Sequence, residues 1–364
     1  MVKKSASPWL RGLLRAGKQQ QRTATRALKG LLKVSTPRPV PKARAKPRVK
    51  PESKTAAPSL PKQASGKWLA AHHSARADNG LGPVRRMSYW LYIPDKVAPV
   101  AGLPLVVMLH GCDQSATLFA QGTRMNQWAQ KKGYAVLYPQ QSISVHPHRC
   151  WKWYDRATQQ GGGDVCVMAG LVNKVADAYP IDRSRVYIAG ISAGAGMASI
   201  MALNHPELFA AIGLHSAPVF GAGHSAVGAL RVMQHGAGER VDSAIGEVLL
   251  KRPVFPALPT ILIHGEGDTI VRLVNQVQLT RQAMLINRLP HGGTVELSSH
   301  PGTRRTYPHR IHDVCSARKV MVRVAQVEQL GHAWSGGDER LSYNSGMGPD
   351  ASKMLLDFFV RHRR

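Results

Sequence analysis

Six short apolar runs, at 87–93, 105–109, 135–138, 186–189, 211–214 and 260–264, punctuate the chain, with helix-length stretches such as 164–179 and 192–204 between them. Runs this short that stay apolar instead of alternating read as strands buried on both faces. Strands and helices in alternation predict a mostly parallel sheet covered by helices on both sides. A final helix is expected from 349 to about 360. In such a sheet the reacting groups gather at the carboxyl ends of the strands. The residues that follow each run are therefore the place to look for chemistry.

Three of these strand ends, and the end of a further alternating stretch, carry reactive types. Gly190-Ile191-Ser192-Ala193-Gly194 fits GxSxG between a strand-like run and a helix-like stretch. A serine hydroxyl is a poor nucleophile at neutral pH and must be held on an exposed, sharp turn beside a base. The run at 105–109 ends in His110-Gly111-Cys112-Asp113-Gln114, where a glycine lets the chain turn and point amides inward. With the amide that follows the serine, such a loop can hold a developing oxyanion, so Cys112 and Ala193 are the expected donors. His264-Gly265-Glu266-Gly267-Asp268 follows the run at 260–264 and supplies a carboxylate to orient an imidazole, Asp268 being preferred and Glu266 its competitor. Gly331-His332-Ala333-Trp334 follows an alternating stretch at 322–327, which makes His332 the expected base. An imidazole must be neutral to act as a base, so activity is expected to fall as the pH drops through about 6 to 7. A fifth cluster, Cys150-Trp151-Lys152-Trp153-Tyr154-Asp155, concentrates aromatics in a chain that is only 6% aromatic. It reads either as core packing or as an apolar wall for a substrate, to which Trp151, Trp153 and Trp334 would contribute.

Charge divides the chain. Residues 1–67 hold 18 Lys and Arg against the single acid Glu52, and so carry 17 of the net +28. Within them, residues 1–35 space Leu10, Leu13, Leu14, Leu28, Leu31 and Leu32 at helical intervals among basic residues, the pattern of a basic amphipathic segment. Residues 36–67 alternate proline with Lys and Arg and lack the apolar residues that would offset the entropy of ordering, the composition of a disordered linker. The globular part is expected to be 68–364. The amphipathic segment fits a helix docked on its own domain, an anionic surface or granule, or nucleic acid held by charge without sequence specificity; in the last two cases the alternative is a granule-, membrane- or nucleic-acid-binding protein that acts through this tail. No apolar stretch has the length of a secretory core or of a membrane span. Cys112, Cys150, Cys166 and Cys315 show no CxxC pairing, which speaks against a metal site and leaves either disulfides or free thiols open. No cofactor is implied.

The words HGCDQ from His110, CWKWYD from Cys150, GISAGAGMA from Gly190, HGEGDTIV from His264, GHAWSGG from Gly331 and GPDAS from Gly348 run in one order from about Arg86 onward. In these words the chain resembles the α/β-hydrolase esterases of the short-chain polyhydroxyalkanoate (poly-3-hydroxybutyrate) depolymerase type, which are related to feruloyl and acetylxylan esterases. The resemblance implies an α/β-hydrolase fold and a carboxylic-ester hydrolase with Ser192 as nucleophile, Asp268 as acid and His332 as base. It also implies a disulfide between Cys112 and Cys150. Around Gly161-Gly162-Gly163-Asp164 the family's usual arginine and glutamate are missing, which leaves the role of Asp164 open. The family's habit is extracellular, whereas the basic segment stands where a secretion signal would be, so a cytoplasmic or surface-associated enzyme is the alternative. The chain ends at Arg364 without a further substrate-binding domain, which argues against attack on crystalline polymer. The expected substrate is an ester, in polymeric form if the resemblance holds in detail. The oligomeric state is not readable.

Overall fold

A computed structural model of the chain describes residues 64–76, 82–290 and 295–364. The basic segment at 1–35 and nearly all of the linker at 36–67 lie outside the described residues. The centre of the described part is a ten-stranded sheet. Its strands are β1 (Lys67–Arg76), β2 (Val84–Ile93), β3 (Leu103–Leu109), β4 (Ala135–Gln140), β5 (Ile181–Ile191), β6 (Ala211–His215), β7 (Thr260–Gly265), β8 (Val295–His300), β9 (His309–Ser316) and β10 (Lys319–Val327). They lie in the order β1-β2-β4-β3-β5-β6-β7-β10-β9-β8. The six strands from β4 to β10 in that order pair in parallel, while β1–β2–β4 on one side and β10–β9–β8 on the other pair antiparallel.

All six expected strands are present, lengthened by one to three residues, except that the strand expected at 186–189 gains five residues before it and two after it. Their apolar runs are continuous because both faces are covered, and the period of two sorts each strand between two cores. On β3, Leu103, Leu105, Val107 and Leu109 enter one core, and Val106 and Met108 enter the other. On β5, Val186 and Ile188 divide from Tyr187, Ala189 and Ile191 in the same way. The first core is covered by α4 (Asp164–Ala178), α5 (Ala193–Asn204), α6 (Ala226–His235), α7 (Arg240–Lys251) and α8 (Val274–Ile286). The second is covered by α1 (Ala116–Thr123), α2 (Met125–Lys132) and α9 (Ala351–Phe359), with the short α3 (Arg156–Gln159) ahead of α4 on the first side.

Three strands of this sheet were not expected. β1 is mostly exposed at the sheet edge, and β8 and β9 form a hairpin beyond β10. Lys67, assigned to the linker, is the first residue of β1. No helix among the described residues is long and apolar enough to cross a membrane.

Candidate active site

Because β3, β5, β6, β7 and β10 are parallel and adjacent, the segments that follow them come out on one rim of the sheet. Ser192 stands between β5 and α5 with φ 55° and ψ −125°, a left-handed conformation that is strained for a residue with a side chain. The flanking glycines explain how the turn is made. A Cβ on Gly190 would lie 2.6 Å from the Gly194 carbonyl carbon, and one on Gly194 would lie 2.2 Å from Leu109 O and 2.4 Å from His110 O. GxSxG is thus a steric requirement here: strand, turn and helix cross too closely to admit side chains at either position. The Ser192 amide donates to His215 O at 3.0 Å, which ties the turn to the neighbouring strand.

The loop after β3 is organised by its own side chains. Gly111 N–H donates to Gln114 Oε1 at 2.8 Å, and Asp113 N–H donates to His148 O at 2.7 Å. The buried His110 ring holds Gly111 O through Nδ1 at 2.8 Å and accepts the Gln141 amide at Nε2 at 3.1 Å. Its pKa is lowered to about 4, first by burial, so the ring stays neutral in this role. A disulfide joins Cys112 to Cys150 and fastens this loop to the aromatic segment. Cys166 and Cys315 form no disulfide.

The loops after β7 and β10 meet. His332 Nδ1 and Asp268 Oδ2 are 2.8 Å apart, and Asp268 Oδ1 accepts the amides of Ile270 and Val271, each at 2.9 Å. Burial alone would raise the pKa of Asp268, but the hydrogen bond and charge of His332 and the Val271 amide outweigh it and hold the carboxyl below its ordinary value. The competing acid, Glu266, instead pairs with Arg310 of β9. His264, also buried, donates through Nε2 to Val271 O at 2.6 Å and stands 3.6 Å from Asp268 Oδ2.

The aromatic residues are placed differently from an open wall. Trp151 is fully buried with its indole N–H on His110 O at 3.0 Å, so it supports the loop after β3 from beneath. Trp334 is fully buried too: its N–H reaches Ser352 Oγ at 3.2 Å, Phe119 meets it edge-on, and His215 stacks on it. Trp153 is 5% exposed and packs close to Gly196, so a Cβ there would touch its Cβ at 3.0 Å. Indole rings this deep present almost no surface to a substrate; their place is in the core beneath the rim. Asp164, at the start of α4, takes a structural position between Gln141 Nε2 at 2.7 Å and Arg85 Nη1 at 3.1 Å. His215, His264 and Gln114 were not singled out in the sequence. His215 and His264 lie at the end of an apolar run and Gln114 lies in the loop after one, and a polar residue at such a point was the available signal. Among the described residues no cluster of His, Cys, Asp or Glu is placed to hold a metal ion.

A doubly covered sheet in this order, with a serine elbow after its central strand, is the α/β-hydrolase fold, and an acetyl xylan esterase from Aspergillus awamori shares it with a TM-score of 0.62 at 19% identity, covering 80% of this chain and 99% of that one. Residues 87–298 match the family described as Esterase PHB depolymerase, and the chain belongs to that family. Its relatives include poly(3-hydroxyalkanoate) depolymerase C of Paucimonas lemoignei, 28% identical over 64% of this chain and 55% of its own length. They also include a probable acetylxylan esterase A of Aspergillus fumigatus, 35% identical over 38% of this chain and 36% of its own length, and feruloyl esterase B of Thermothelomyces thermophilus, 29% identical over 56% and 71%. The chain thus spans about a third to just over half of the length of the first two.

Proposed function

We propose that this chain is a serine esterase in which Ser192 attacks an ester carbonyl while His332 takes its proton and Asp268 orients and balances the imidazolium. The observation that carries this reading is the strained Ser192 turn on the same rim as the hydrogen-bonded His332–Asp268 pair. With Asp268 holding Nδ1–H, the Nε2 of His332 is left as the basic nitrogen. The oxyanion would be held by the amides of Cys112 and Ala193. In support, the amides on either side of Cys112 are already engaged, and Ala193 opens a helix, where the first amides lack partners within the helix. The alcohol leaves with the proton from His332, an acyl-enzyme remains, and water activated by the same histidine releases the acid.

The substrate reading is a short-chain polyhydroxyalkanoate, with feruloyl and acetylxylan esters as the second reading because relatives carry those names. The Cys112–Cys150 disulfide favours work in an oxidising, extracytoplasmic compartment. The 17 excess positive charges of residues 1–67 favour attachment to an anionic surface or granule. An ester panel run on wild type and Ser192→Ala tests the whole: p-nitrophenyl acetate, amorphous poly(3-hydroxybutyrate), a feruloyl ester and acetylated xylan. Ser192→Ala should lose at least about a thousandfold in kcat. Near-normal turnover by that variant would overturn the assignment, and the product released fastest names the substrate class.

A further inference from the structure

We infer that His215 is a positioning residue, a buried brace that fixes the distance between the nucleophile turn and the loop carrying the base. This assignment rests on the esterase reading above. His215 ends β6, the strand adjacent both to β5, which leads into Ser192, and to β7, which leads toward Asp268. Its carbonyl oxygen accepts the Ser192 amide at 3.0 Å. Its ring nitrogen Nε2 accepts the amide of Ser335 at 3.1 Å, three residues beyond His332. One residue thus grips both segments whose separation sets the reach from the base to the serine, by main chain on one side and by side chain on the other.

The tautomer follows from these contacts. An Nε2 that accepts an amide carries no proton, so the proton sits on Nδ1 and donates to Ser216 Oγ at 3.1 Å. A charged imidazolium would face the Ser335 amide donor with a donor of its own. Burial lowers the pKa of His215 to about 3, and the charges of His264 and His332 act in the same direction. The brace is therefore neutral when His332 becomes charged during the reaction. The ring is 1% exposed and stacks on Trp334, with centroids 5.0 Å apart and planes 21° apart. Trp334 is anchored through Ser352 Oγ, which donates to Thr123 O at 2.6 Å, and Ser335 Oγ donates to Pro349 O at 2.6 Å. The far side of the brace is thus held by hydrogen bonds to two other segments, and Ser335, fully buried, has the partner of its amide in His215.

Three full-length variants test this with p-nitrophenyl acetate, alongside Ser192→Ala. His215→Phe keeps a ring for Trp334 but removes both nitrogens. His215→Gln carries an amide oxygen at the position of Nε2, and His215→Asn carries one at the position of Nδ1. The expected result is a fall in kcat of about 10- to 100-fold for Phe and Asn, since displacements of about 1 Å at a reacting centre cost up to about 100-fold. KM should stay within about threefold, and Gln should return to within about threefold of wild-type kcat. If His215→Phe fails to fold, the Gln and Asn pair decides the matter alone. Equal kcat in Gln and Asn, or a loss seen in KM and not in kcat, overturns the brace. Activity surviving in Ser192→Ala would instead overturn the esterase reading beneath it.

Discussion

Replacing Gly194 by alanine should damage the site far more than it damages the fold. The added Cβ would stand 2.2 Å from Leu109 O and 2.4 Å from His110 O, whereas real Cβ contacts do not fall below 3.0 Å. The serine turn and the end of β3 must therefore separate by about 0.8 Å to clear the nearer contact. Both atoms are main chain and cannot swing away as a side chain would. The two segments that part carry the proposed nucleophile and the proposed Cys112 oxyanion donor, so the whole displacement enters the distance between them. A misplacement of about 1 Å costs on the order of 100-fold in rate, while overpacking costs about 1–3 kcal/mol of stability. The assay is kcat and KM for p-nitrophenyl acetate together with urea unfolding followed by circular dichroism. Gly246→Ala is the control, because a Cβ at that position in α7 meets nothing within 4 Å. It should leave kcat unchanged and stabilise by up to about 1 kcal/mol through helix propensity. Wild-type kcat in Gly194→Ala would refute the steric account of GxSxG.

Asp268→Asn should lower kcat by about 10,000-fold, because an amide can hold His332 in the wrong tautomer, and steady-state kinetics at pH 7.5 would show it. The folded-state pKa of Asp268 is depressed, so its stabilising contribution is present above the unfolded value and is lost as pH falls through the folded one. The difference in urea midpoint between wild type and Asp268→Asn should accordingly shrink on going from pH 7 to pH 3, and a constant difference would contradict the assigned shift. Reduction of Cys112–Cys150, which closes a sequence separation of 38 residues, should remove about 3–4 kcal/mol and lower the melting temperature by about 5–10 °C in calorimetry with and without reductant. Activity should fall with it, since the bond fastens the loop that bears Cys112. A chain starting at Pro61 should keep ester hydrolysis but lose retention on anionic vesicles; equal retention by both chains would refute a tail-based anchor.

What could be read in the sequence follows burial. β3, β5, β6 and β7 lie in the middle of the sheet, and their runs are apolar because both faces are covered. β1, KWLAAHHSAR, is an edge strand that is mostly exposed, so no face demanded a pattern, and its sequence resembles a loop. β9, one place in from the edge strand β8, is mostly half-buried and carries His309, Arg310 and His312 among few apolar residues, so it has no apolar run to mark it. At the site, Asp268 and His332 were legible because each sits in a glycine-bounded turn at a strand end, and the structure joins them by a hydrogen bond. Trp151 and Trp334 were read toward the substrate because aromatic content is equally compatible with a wall and with a core; only their burial distinguishes the two. His215 was passed over because one histidine among 16 carries no mark of its partners, two of which, Ser192 and Ser335, lie far from it in sequence while the third, Ser216, is its neighbour.

The hairpin β8–β9 has a consequence for how the molecule can be handled. By pairing with β10 it turns the strand that leads to His332 into an interior one and shifts the open edge on that side two places outward, to β8. Fraying, strand exchange and association with other chains are hazards of edges. They fall on residues 295–300, while β10 remains clamped between β7 and β9. Amide exchange should therefore be fast along β8 and slow along β10. Surface immobilisation or fusion directed to β8 would load the sheet at an edge with β9 standing between the attachment and the strand that leads to the base.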